Sequence, residues 1–198
     1  MANLGSGWLA QNLSLPSHNH GVFVPRFSEL EQAPFPTRTE EYWFAAQALE
    51  EQLRGLIVDA GCGFNPEIHV LPEILTKMGY EVYAIDANPA VLGMPAVAGV
   101  QRRCGTMAFL QDVPNEAAEH WVCISVLEHL EPSLRMAALH EAYRVLTSGG
   151  LLIMTMDAID PERLNQMVVE MGFEVGPLVP LVGTPISPPV SWVVARKP

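Results

Sequence analysis

The 198-residue sequence is short of charge, of cysteine and of long apolar runs. Charged residues make up only 17% while hydrophobic ones reach 49%, which excludes a disordered chain and suits one compact core. Three cysteines, Cys62, Cys104 and Cys123, are scattered and odd in number. Without a C-x-x-C they suggest neither a zinc site nor a disulfide framework, so reduced thiols and no metal are expected. No apolar run approaches the ~20 residues a bilayer crossing needs. The start, MANLGSGWLAQNLSLPSHNHG, lacks the basic and apolar regions of a signal peptide. A soluble, cytoplasmic protein is the expectation, with no membrane partner. Basic residues are also few: 11 Lys and Arg against 22 Asp and Glu give a net charge of −11. That field repels phosphate backbones, so nucleic acid is not the expected partner.

Proline is plentiful, and its placement organises the chain. Residues 1–36 hold Pro16, Pro25, Pro34 and Pro36 with no sustained period, which reads as an extended arm. A single domain is expected over 37–198. Thr37 or Thr39 can cap a helix through EEYWFAAQALEEQL, with Tyr42, Trp43, Ala46 and Leu49 forming an apolar stripe. Leu56–Val58 then read as a buried parallel strand. Asn65-Pro66-Glu67 reads as a helix start, continued by Ile68, Leu71, Leu75 and Met78 to Gly79.

A strand is expected over 81–86, a short helix over 89–94, and strands over 100–104 and 120–125. SLRMAALHEAYRVL (133–146) reads as an amphipathic helix, Ser148-Gly149-Gly150 as a turn, and LLIMTMD as the fifth strand. Asp160 caps PERLNQMVVEMG. FEVGPLV and SWVVARK follow, joined by a proline-rich linker without a helix, which predicts an antiparallel pair. Strand and helix alternation ending in two strands predicts an α/β fold: a doubly wound, mostly parallel seven-stranded sheet with an antiparallel last strand.

In such sheets ligands sit beyond the carboxyl ends of the strands. Three segments converge there. Asp59-Ala60-Gly61-Cys62-Gly63-Phe64-Asn65 follows the first strand, and its glycines permit a tight turn and close approach of a ligand. A nicotinamide or flavin cofactor wants G-x-G-x-x-G, but the third position here is Pro66, followed by Glu67, which repels a pyrophosphate. Asp86 ends the second strand, where a carboxylate can accept from both hydroxyls of a ribose, or cap the next turn. Ser125-Val126-Leu127-Glu128-His129-Leu130 follows the fourth.

VDAGCGFNP resembles motif I of the class I S-adenosylmethionine (SAM)-dependent methyltransferases. YAIDAN resembles the family's second, acidic motif. SVLEHLEP and RVLTSGGLLIMTM resemble the fourth-strand region and the helix-turn-strand after it in the small-molecule branch. The resemblance spans residues 55–157. It implies a Rossmann-like methyltransferase fold, SAM as cofactor, S-adenosylhomocysteine (SAH) as product and a small-molecule acceptor.

Residue by residue, it implies that Asp59 orients the methionine amino group. Gly61, Cys62 and Gly63 pass beneath the methionine and ribose, and Asp86 holds the ribose hydroxyls. Ala87 and Asn88 border the adenine, and Ser125 and Val126 line the methionine side. The chain departs from the pattern after strand three, where RRCGTMAFLQD has no acid at the usual place. Thr106 or Met107 is expected at the adenine instead, with Asp112 set too late. Glu119 or His120 replaces the aspartate that usually opens strand four.

Methyl transfer relies largely on alignment, so a strong catalytic group is not obligatory. Glu128 and His129 stand where a base could, against the simpler reading that Glu128 steadies the loop and His129 packs or caps. Tyr42 and Trp43 could cover the methionine end with Arg38 at its carboxylate, or simply pack the first helix. His18 and His20 read as solvated loop residues, and Cys62 as a small filler. The acceptor site is expected from the arm, the 127–133 loop and the apolar 178–190 loop. A non-catalytic SAM-binding or partner-binding module is the alternative reading.

Overall fold

The computed structural model describes residues 36–66, 68–157, 159–176 and 190–198, and the side chains among them except those of 36–40 and Pro161. The arm before residue 36, His18, His20, Glu67, the Arg38 side chain and most of the 178–190 loop lie outside this description. The order is α1 (Pro36–Leu49), β1 (Leu56–Ala60), α2 (Leu71–Lys77), β2 (Glu81–Asp86), a 3-10 turn (Pro89–Gly93) and β3 (Val100–Cys104). Then come β4 (Ala118–Ile124), a second 3-10 turn (Leu127–His129), α3 (Pro132–Val145), β5 (Leu146–Asp157), α4 (Pro161–Glu170), β6 (Glu174–Val175) and β7 (Val190–Arg196).

The seven strands lie in the order β3-β2-β1-β4-β5-β7-β6. β1 to β5 pair in parallel, and β7 runs antiparallel to both β5 and β6. This is the expected doubly wound sheet with a reversed last strand. Its switch point lies between β1 and β4, where ligands enter such sheets.

Each sheet face has its own apolar layer, because alternate residues of a strand point to opposite faces. Ile57, Val82, Val122 and Ile153 pack with Leu49 of α1 and Leu75 of α2. Val58, Trp121, Cys123 and Met154 pack with Leu139 of α3 and Leu164 of α4. The central strands are apolar on both sides because helices cover both. Among the described residues no helix is long and apolar enough to cross a membrane.

Four local expectations are corrected. The first helix starts at Pro36 and stops at Leu49, short of residue 53. Arg54 folds back onto the carbonyls of Leu49 (2.8 Å) and Glu50 (2.8 Å), supplying donors to the helix end. The second helix begins at Leu71, not at Asn65. Pro72 sits at its first turn, where a missing N–H costs nothing, and this later proline sets the start. Asn65 instead closes a turn, its carbonyl accepting from Ile68 N (3.1 Å) and His69 N (2.8 Å).

Residues 89–93 form a 3-10 turn capped by Asn88, whose Oδ1 accepts from Ala90 N at 3.0 Å. Finally, Ser148-Gly149-Gly150 belongs to β5. The edge of β7 captures it, with Gly149 N donating to Lys197 O (2.8 Å) and Lys197 N to Gly150 O (3.0 Å). FEVGPLV contributes strand only at Glu174–Val175 within the described residues.

Candidate active site

The first turn hooks onto the end of the neighbouring strand. Gly61 and Cys62 both donate their N–H to the carbonyl of Ile85, at 2.8 and 3.1 Å. Gly63 N donates to Asp86 Oδ2 at 2.9 Å, and Asp86 Oδ1 accepts from Asn88 N at 2.8 Å. Asp86 thus fastens the glycine turn to the loop beyond β2. Each of its oxygens keeps a further lone pair for an outside hydroxyl. Gly61 and Gly63 have φ of 80° and 75°, a region that side chains disfavour. A Cβ on Gly61 would stand 2.5 Å from Val126 Cγ2, and one on Gly63 would run into the His69 ring. The loops after β1 and β4 therefore touch through a glycine that cannot be larger.

Asp59 lies at the last-but-one position of β1 and is buried, 2% exposed. Its Oδ2 has no hydrogen-bond partner among the described residues. Burial pushes its carboxyl up to about 8; Glu73 adds to this, Arg102 opposes it and Asp86 adds a little. Burial likewise raises the Cys62 thiol, which keeps that sulfur protonated and suits a filler rather than a nucleophile.

Beyond β3, Gly105 N donates to Asp86 O at 2.9 Å, and Cys104 Sγ approaches Ala87 O at 3.7 Å. Thr106 is exposed and its hydroxyl accepts from Ala108 N (3.2 Å), while Met107 is buried in the core beside Ile85 and Leu110. Asp112 pairs with Arg103 at 3.4 Å on the surface. Glu119 Oε2 accepts from the Thr147 hydroxyl at 3.1 Å. His120 Nε2 lies 3.0 Å from Leu53 O, and burial lowers its pKa to about 4, so it is neutral at pH 7.

Ser125 holds φ 48°, unusual for a residue with a side chain. Its N–H donates to Thr155 O (3.1 Å) and Thr155 Oγ1 (2.9 Å). Its hydroxyl donates to Glu41 Oε1, which also accepts from Thr155 Oγ1 at 2.7 Å. Glu41 is 1% exposed, a buried carboxylate brought from α1 to the carboxyl ends of β4 and β5. Glu41 is not among the site residues expected from the sequence. The available signal was its place at i−4 from Ala45 and i−8 from Leu49, an acid on the buried stripe of α1. On the same stripe Tyr42 donates its hydroxyl to Ile68 O at 3.3 Å, and Phe44 meets Trp192 edge-on. The stripe packs α1 on the sheet and on the loop after β1.

Glu128 and His129 sit on a turn pinned by Arg135, whose guanidinium donates to Leu127 O (3.0 Å), Glu128 O (3.4 Å) and Leu130 O (3.2 Å). Glu128 Oε1 accepts from Asp157 N at 3.1 Å, which ties the turn to the end of β5. Its Oε2 is buried without a partner among the described residues, and burial raises its pKa. His129 is exposed. Among the described residues no cluster of three or more His, Cys, Asp or Glu could hold a metal.

A family model described as a methyltransferase domain matches residues 58–154, the span that holds Asp59, the glycine turn, Asp86 and the loop after β4. Over that span the chain is similar to the SAM-dependent methyltransferase family. SAM is the cofactor of that family, and the chain carries its methyltransferase domain. No curated protein sequence matches it.

Solved structures agree in fold at low identity. NodS, an N-methyltransferase from Bradyrhizobium japonicum, superposes with a TM-score of 0.67 at 15% identity, over 83% of this chain and 98% of that one. The 1,6-didemethyltoxoflavin-N1-methyltransferase of Burkholderia thailandensis, solved with 1,6-didemethyltoxoflavin and SAH, gives 0.62 at 16% identity, over 84% of this chain and 79% of that one. A SAM-dependent methyltransferase from Mesorhizobium loti gives 0.64 at 15% identity, over 85% of this chain and all of that one.

Proposed function

We propose that this methyltransferase moves a methyl group from SAM to a small-molecule acceptor, with residues 37–198 acting as one domain behind an N-terminal arm. The observation that carries the cofactor's place is the pairing of a buried Asp59 oxygen without a partner with a glycine turn fastened to Asp86. The fit is chemical. The SAM ammonium needs a carboxylate, its ribose diol needs an acceptor with spare lone pairs, and its backbone-hugging chain needs turns without a Cβ.

Asp59 is assigned to the ammonium, directly or through water, and the Gly61–Cys62–Gly63 backbone to the methionine and ribose. Asp86 takes the ribose hydroxyls. Ala87, Thr106 and the backbone of Asn88 border the adenine; the Asn88 side chain is occupied as a cap. Leu92 and Phe109, both exposed, offer apolar surface on the loops after β2 and β3. Met107 supports that edge from within the core. Val126 lines the methionine side, and Ser125 contributes backbone because its hydroxyl is committed to Glu41.

SAM supplies an electrophilic methyl on a sulfonium. The chain's part is alignment: the loops after β1 and β4 lock together through Gly61 and Val126, which fixes the methyl donor relative to the acceptor side. For a hydroxyl or amine acceptor, His129 is the group best exposed to take a proton, and Glu128 steadies the turn. The didemethyltoxoflavin enzyme, solved with its small heterocycle bound, supports a small acceptor. Free thiols at Cys62, Cys104 and Cys123 together with the acidic charge suit a cytoplasmic setting.

The test is a panel of small hydroxyl, amine and thiol acceptors with SAM, read as SAH formed. Acceptor-dependent SAH with the wild type, lost in Asp86→Ala, supports the reading. SAM binding without turnover on any acceptor favours the non-catalytic module.

A further inference from the structure

A second group of polar side chains lies behind Asp59, on the same sheet face. Asp59 of β1 is in register with Ala84 of β2, and Ala84 with Arg102 of β3. Parallel register puts all three on the face covered by α2. Arg102 donates to Glu73 Oε1 of α2 at 2.9 Å, with only 8% of the Arg102 side chain exposed. Alanine between the two charged residues puts only a methyl group between them.

The pair is only half satisfied. Arg102 Nε and Nη1, Glu73 Oε2 and Asp59 Oδ2 are all buried without a partner among the described residues. Four such atoms on one side of a sheet is far from the usual full pairing of buried polar groups. A buried arginine with two uncommitted donors acts on the nearest carboxylates through a low-dielectric medium.

We propose that the Arg102–Glu73 pair is a positioning device that sets the charge of Asp59, so that cofactor binding is linked to proton release and the two partners push that linkage in opposite directions. This rests on the assignment of Asp59 to the cofactor ammonium. Burial, with Glu73, holds the empty carboxyl protonated near neutral pH, and Arg102 opposes them. An arriving ammonium favours the carboxylate, so the proton leaves to solvent as the ion pair forms. Asp86 on β2 is the other charge acting on Asp59, and the neighbouring Cys62 thiol stays neutral. The β4 neighbour in register is the apolar Val122, and Glu41 of α1 is bound to Ser125 and Thr155.

The experiment is calorimetric titration of SAH into the full-length wild type, Glu73→Gln and Arg102→Met at pH 6 and 7.5, in buffers of different ionisation heat. The ligand's own titration is common to all three proteins and cancels in the comparison. Wild type should bind roughly tenfold or more weakly at pH 6 than at 7.5, releasing protons. At pH 6, Glu73→Gln should bind several-fold more tightly than wild type and Arg102→Met several-fold more weakly.

A merely structural ion pair predicts the same direction for both variants, since each breaks the same contact. Glu73→Gln suffices alone if Arg102→Met does not fold, because damage cannot tighten binding. Equal or weaker SAH binding by Glu73→Gln overturns the proposal while leaving the cofactor site intact. No SAH binding by wild type at either pH overturns both.

Discussion

Glu41 and Ser125 are 84 residues apart in sequence and joined by a buried hydrogen bond. The link ties α1 to the loop after β4 at the position where the backbone takes φ 48°. A left-handed conformation costs roughly 1–2 kcal/mol for a residue with a side chain, so the surrounding bonds must hold it. The next residue, Val126, fills the space beside Gly61. Seating of α1 and the shape of the cofactor turn are thus mechanically connected.

Glu41→Ala leaves the Ser125 and Thr155 hydroxyls without this acceptor. Each buried group left unpaired costs about 1–3 kcal/mol. Urea unfolding should show a loss in that range or somewhat above, and SAH affinity should fall with it. Glu41→Gln keeps a carbonyl oxygen in the same place and should recover most of both. Equal damage from Gln and Ala would show that the charge, not the acceptor, matters.

Gly61→Ala forces a methyl to 2.5 Å from Val126 in a backbone region that side chains resist. Overpacking of this kind costs typically about 1–3 kcal/mol. Adding Val126→Ala removes the nearer clash and should restore part of the stability but not the strain at φ 80°. A double-mutant cycle by thermal unfolding should therefore be non-additive, with the pair less damaged than the sum. Strict additivity would mean that the loops after β1 and β4 do not press on one another.

Asp59 should make the ligand-free protein lose stability as pH rises. Its folded pKa is about 8 against about 3.9 when unfolded. Between these values the folded state keeps a proton that the unfolded state has released, so its contribution falls steadily from pH 4 to 8. His120 works the other way: its folded pKa near 4 makes stability rise with pH from about 4 to 6.5. Comparing urea unfolding of wild type and Asp59→Asn at pH 6 and 8 isolates the first effect. The gain from Asp59→Asn should be larger at pH 8, while SAH binding is lost. Equal gains at both pH values would mean that the buried carboxyl is ionised throughout.

Glu128→Gln separates the two readings of that residue. Its Oε1 is used as an acceptor by Asp157 N, a role that the amide oxygen of Gln can fill. Burial also makes ionisation of Glu128 unfavourable, so the neutral amide should hold or raise stability at pH 8. Once an acceptor is in hand, turnover within about twofold of wild type supports the steadying role. A loss of about 100-fold or more would make Glu128 the base.

Much of the fold was legible because strands and helices alternate with clear punctuation. The mostly parallel seven-stranded sheet follows from that alternation, and the reversed last strand from the proline-rich stretch before SWVVARK. The glycine turn, Asp86 and Ser125–Val126 were legible because each sits at the end of an apolar strand. Other features were set by tertiary partners that no local pattern reveals. Gly149-Gly150 reads as a turn until β7 arrives to pair with it. Asn65-Pro66 reads as a helix start because nothing local says that His69 will close over Gly63. Arg102 reads as one more charge on a weak strand, and only sheet register puts it in line with Asp59.

That the turn at Gly61–Gly63 and Asp86 hold SAM is tested most directly by thermal unfolding with and without SAH. At about 100 times its dissociation constant the ligand adds roughly 2.7 kcal/mol, a rise on the order of 5–11 °C for a chain of this size. Wild type should show that rise and Asp86→Ala little or none, each read against its own ligand-free baseline. No rise for wild type at millimolar SAH, or an equal rise in Asp86→Ala, would contradict it.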